Sequence, residues 1–134
     1  MNTSPIPLGI DNSVYIERLR QAKRVMQGLS EDQRLNNFDI GVYVVKSDHG
    51  IVGCVAGLCS LDPWFQQEGL ISELNELGGK VSPRPSVFFG TEDPFYRSNY
   101  LIAGRVTVED AISALDRAIE RFEAIALEPL PLPF

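Results

Sequence analysis

Asp48-His49-Gly50-Ile51-Val52-Gly53-Cys54-Val55-Ala56-Gly57-Leu58-Cys59-Ser60-Leu61-Asp62-Pro63 decides how this chain is read. From Ile51 to Ser60 it carries no charge, so in any conformation it belongs inside. Gly53, Ala56 and Gly57 place small residues three and four apart, which on a helix makes a shallow groove that another backbone can approach closely. This spacing predicts a central buried helix over 51–60. Its two glycines, each costing up to about 1 kcal/mol relative to Ala, would be offset by that close packing.

Upstream, Tyr15, Leu19, Ala22, Met26 and Leu29 alternate four and three residues apart, opposite Arg18, Lys23 and Arg24. They predict a first helix that starts at Asp11, Asn12 or Ser13 and ends near Gly28. The stripe is too short for a coiled coil. Ser30-Glu31-Asp32-Gln33 has the form of a capping box for a short following turn. Phe38 to Lys46 is rich in β-branched and aromatic residues. It reads as a short strand near 40–46 or as an extended connector, with no obvious partner strand close behind it.

Downstream, Asp62 is placed to cap a helix with Pro63 at its first position. Trp64, Phe65, Leu70, Ile71, Leu74 and Leu77 supply apolar contacts up to a stop at Gly78-Gly79. Lys80 to Ser86 reads as a loop, Val87 to Gly90 as a compact aromatic knot, and Glu92 to Tyr96 as a capped helical turn. Thr107 and Asp110 open a last helix. Its apolar face comprises Val108, Ala111, Ile112, Leu115, Ile119, Phe122 and Ala126, with Asp116, Arg117, Glu120 and Glu123 outward. That face is expected to pack on the 51–60 segment. Residues 1–11 form an extended arm with Pro5 and Pro7, and residues 128–134 a proline-rich tail of polyproline II character. The whole predicts one domain over 1–134, mainly α with α+β as the open alternative: a small helical bundle around a buried helix near 51–60, with at most one short strand.

The 134 residues suffice for one core without disulfides or metal. A formal net charge of −6 gives no general attraction for phosphate backbones or anionic membranes. Neither nucleic acid nor membrane is therefore an expected partner, although an acidic protein can occupy a basic protein surface. The start has no basic n-region or long apolar run, which predicts a cytoplasmic protein. Cys54 and Cys59 lie about 140° apart on a helix, poorly placed for a disulfide, and with the single His49 they fall short of zinc-module spacing. No cofactor or metal is expected.

Cys54 nevertheless invites a catalytic reading. At the start of a buried helix the dipole and free N–H groups would favour a nucleophilic thiolate, with His49 as its base, as in a thiol-dependent hydrolase or transferase. The competing reading is a small buried hydrophobe, with His49 an exposed or capping turn residue. Among the carboxylates, Asp62 and Asp93 precede prolines and read as caps. Glu68, Glu73, Glu76 and Glu92 are the remaining candidates for acid–base pairs or a hard cation. Gly78-Gly79 lacks the context of a phosphate loop. The aromatic pairs Trp64-Phe65 and Phe88-Phe89, with the tail ending at Phe134, are the candidate partner-binding surface. The preferred reading is a non-catalytic module that binds another protein or itself.

Several motifs occur in a set order: Phe38-Asp39-Ile40, Gly50 to Gly57, Pro63-Trp64-Phe65 with Gly69-Leu70, Phe88-Phe89-Gly90, and Thr107 opening the last helix. Over about residues 35–125 this order resembles a family of small bacterial and bacteriophage proteins. That family has a Phe-Asp/Asn-Met segment, a Cys-Gly-Thr-x-x-Cys-x-x-Gly core and a Phe-Phe-Gly knot. Here His49 stands in place of the family's first Cys, and Leu58-Cys59 in place of an aromatic-Ala pair. No established activity comes with the resemblance, which implies a phage or mobile-element setting, as an accessory or defence-modulating protein.

Overall fold

The computed structural model describes residues 12–40, 42–48, 50–75, 78–91 and 106–127, so the N-terminal arm, the 92–96 turn and the C-terminal tail lie outside the described residues. In chain order the elements are α1 (Asn12–Gln27), α2 (Glu31–Asn36), β1 (Val44–Ser47), β2 (Gly50–Gly53), α3 (Val55–Cys59) and α4 (Pro63–Gln67). Then follow β3 (Ile71–Asn75), β4 (Gly78–Ser82), α5 (Pro85–Phe88) and α6 (Val108–Leu127). The strands make two separate antiparallel hairpins, so the fold is α+β rather than a helical bundle with one strand at most.

The segment read as a single helix over 51–60 divides at Cys54. Its first part is β2, paired with β1 in the register Val44↔Gly53, Val45↔Val52, Lys46↔Ile51 and Ser47↔Gly50. A partner strand therefore does follow β1, three residues on. Ile51 and Val52 are β-branched and face Lys46 and Val45, and such cross-strand pairs favour the pleated backbone over a helix carrying two glycines. Only the second part is helical, and α3 with its flanking Cys54 and Ser60 is buried. The outer side of β2 is occupied as well. Gly53 N–H donates to the Asn37 carbonyl at 3.0 Å and its carbonyl accepts from Asp39 N–H at 3.0 Å, while the Asn37 side-chain amide donates to the Ile51 carbonyl at 2.9 Å.

The groove of small residues is real, and the backbone lying in it is the chain's own. A Cβ on Gly57 would stand 1.6 Å from the Tyr43 carbonyl oxygen and 2.7 Å from Val44 Cγ1. From the second hairpin, a Cβ on Gly79 would stand 2.5 Å from Val44 Cγ2 and 2.6 Å from the Glu73 carbonyl oxygen. Glycines thus clear the space around Tyr43-Val44 from two sides.

Asp62 caps α4 as expected, accepting from Trp64 N–H at 3.1 Å, but the helix ends at Gln67 rather than near Leu77. Gly69 adopts a φ of +97°, which an L side chain rarely tolerates, and Leu70 N–H closes back on the Phe65 carbonyl at 3.0 Å. The chain then runs straight into β3, paired with β4 from Ile71↔Ser82 to Asn75↔Gly78. Gly78-Gly79 and the first part of the expected 80–86 loop are therefore strand, and Pro85 opens α5.

The helical expectations fare better at the two long helices. Along α1, Tyr15, Leu19, Ala22 and Met26 are buried as the stripe predicts. The Ser30–Gln33 capping box forms in both directions at 3.1 and 2.8 Å, and so does the Thr107–Asp110 box, at 3.0 and 3.1 Å. Helix α6 buries Val108, Ala111, Leu115, Ala118 and Ile119. Its main partner is α1, against the expectation that it packs on 51–60; α1 in turn contacts α3. Buried apolar residues from β1 and five of the helices, α2 excepted, form one cluster with Val81 of β4.

Gly57→Ala is expected to cost at least about 1–3 kcal/mol, the penalty for overpacking a filled core. Leu35→Ala on α2, at a site 82% exposed, is expected to change stability by under about 0.5 kcal/mol. Urea denaturation of the two variants beside the parent checks both; equal midpoints would contradict the tight seat at Tyr43.

Candidate functional site

Of the candidates from sequence, the thiol at position 54 and the aromatic pairs lie against the same core. Cys54 is the N-cap of α3, in extended conformation with φ −74° and ψ −177°. Its sulfur accepts from Gly57 N–H at 3.4 Å and its S–H points to the Tyr43 carbonyl at 3.7 Å. The residue is completely enclosed. Burial pushes the thiol up from 9.0 to about 12, a stronger effect than the backbone N–H groups of Gly57 and Ala56 that pull the other way. The helix-start argument for a thiolate therefore meets a larger opposing cost, because a charged sulfur would sit dry beside a carbonyl oxygen. Cys59 is also buried, and desolvation raises its thiol well above the usual value. His49 lies outside the described residues.

The carboxylates have local duties. Asp62 is a cap, Glu68 lies 3.5 Å from Arg18, and Glu73 faces Lys80 across the second hairpin at 3.6 Å. Glu76, Glu92 and Asp93 lie outside the described residues. Among the described residues no group of three or more His, Cys, Asp and Glu side chains gathers as metal ligands would.

The aromatic pairs do come together. Phe65 from α4 has its ring centroid 6.0 Å from Phe88 and 5.6 Å from Phe89, and Phe88 meets Phe89 edge-on at 4.8 Å. All three are buried, so they cannot themselves touch a partner in this arrangement. Trp64 stands edge-on to Phe65 at 5.0 Å and is only half-buried. Phe134 lies outside the described residues.

Arg18 ties this aromatic group to α1. Its guanidinium lies 3.9 Å above the Phe88 ring, Nη1 donates to the Phe88 carbonyl at 2.7 Å, and Nε faces Glu68 without a hydrogen bond. The sequence reading set Arg18 on the solvent side, yet its side chain is only 12% exposed. Its spacing held the clue: Arg18 comes three residues after Tyr15 and four before Ala22, on the margin of the buried stripe.

A second arrangement missed from sequence runs along the α1–α6 seam. Lys23 pairs with Asp116 at 2.7 Å, Arg20 with Glu123 at 2.5 Å, and Arg34 of α2 with Glu109. The three acids are seven residues apart, two helical turns, so they form one row down α6. Asp116 and Glu123 border the seam instead of simply pointing outward.

Deprotonation is resisted in the fold and not in the unfolded chain, so between pH 9.0 and about 12 the unfolded state alone releases the Cys54 proton. Stability is therefore full below that window and falls as pH rises through it. Urea midpoints measured across the window are expected to drop steeply in the parent and less in Cys54→Ala, with the Cys59 contribution remaining. For the seam, Lys23→Ala and Asp116→Ala are each expected to cost roughly 0.2–1 kcal/mol, less at high salt because these pairs are partly solvated. A double-mutant cycle at two salt concentrations checks the pair.

No family model, curated protein or solved structure matches the chain.

Proposed function

We propose that this chain is a non-catalytic module that binds another protein or a second copy of itself, as an accessory or defence-modulating protein of a phage or prophage. The observation that carries the reading is the condition of Cys54. The thiol that the sequence singles out as a candidate nucleophile is enclosed, protonated, and engaged at both ends of its S–H group as a helix cap. Its hydrogen bond to Tyr43 requires the neutral thiol, the opposite of what a nucleophile needs.

Trp64 supports the binding half of the proposal. It carries a large amphipathic ring at the surface and is braced from beneath by Phe65, the disposition typical of an interface anchor. Leu61, Ile71 and Val87, on the segments adjoining this aromatic group, are exposed. Phe65, Phe88 and Phe89 then serve as the support for the contact surface. A net charge of −6 favours a basic protein over nucleic acid as partner. Among the described residues no helix is long and apolar enough to cross a membrane. The phage or prophage setting rests on the motif order from Phe38 to Thr107.

Iodoacetamide treatment of the folded protein tests the first half. Both thiols are expected to label only after unfolding, and fast labelling of Cys54 alone would overturn the non-catalytic reading. The second half is read through Trp64, the single tryptophan of the chain. Over a concentration series, self-binding is expected to raise the mass seen by light scattering and shift Trp64 emission to the blue, with Trp64→Ala remaining at the mass of one chain. If the parent keeps that mass throughout, self-binding is ruled out; titration with a protein recovered from host lysate then reads the same emission.

A further inference from the structure

We draw no further inference here: the strongest candidate, the open groove between α1 and α6 lined by Arg24, Gln27 and Ile119, has its Arg20 and Lys23 already paired with Glu123 and Asp116, and nothing in the structure shows what covers it.

Discussion

The fold depends on the seat of the Tyr43-Val44 backbone. One peptide segment is held by Cys54, whose N–H reaches the Val42 carbonyl at 2.8 Å and the Tyr43 carbonyl at 3.3 Å, and it is packed against Gly57 and Gly79 with no room for a side chain on either. A two-stranded hairpin has little stability of its own in water. Seated this way, β1 becomes the shared wall of both hairpins and of α3. The ordering entropy of two glycines, up to about 1 kcal/mol each against Ala, is the cost of that close approach. Dispersion contacts over the buried segment and a satisfied set of backbone polar groups offset it.

Around this seat the molecule has two ways of joining elements. The α1–α6 pair uses apolar residues in the middle and ion pairs at its border, where water weakens the charge interactions but still rewards correct register. The aromatic group uses a cation instead. Arg18 gives up most of its hydration and receives in return a carbonyl and a ring face, both from Phe88 of α5, and the carboxylate of Glu68 in the turn after α4. Such a cation tolerates few replacements, since lysine cannot stack its charge flat on the ring while donating sideways.

What could be read from the sequence follows from the range over which the determining forces act. Helices α1 and α6 and the caps at Ser30, Asp62 and Thr107 depend on residues within one or two turns, and they form as expected. Of the burial expected over 51–60, the part from Gly53 to Ser60 holds, because absence of charge is a local property, while Ile51 and Val52 are half-buried. The conformation of the segment was not legible. Ile51-Val52 becomes strand because Val45 and Lys46 lie opposite, and the helix expected onward from Pro63 is cut short by the left-handed turn at Gly69 and by the pairing of β3 with β4. The close approach of Gly79 to Val44 joins residues thirty-five apart and leaves no local signature beyond a glycine pair that also suits a helix stop. For the candidate site, residue types were legible while accessibility was not: the same Cys54 serves a nucleophile or a cap, and only its enclosure separates them.

Asn37 has a consequence outside the folded chain. An open strand edge is a template on which other chains can add strands and build aggregates. By offering its carbonyl and its side-chain amide along β2, Asn37 imitates a short length of neighbouring strand and ends the sheet there. With Asp39 beside it, Asn37 occupies the outward backbone groups of Ile51 and Gly53 that an added strand would need.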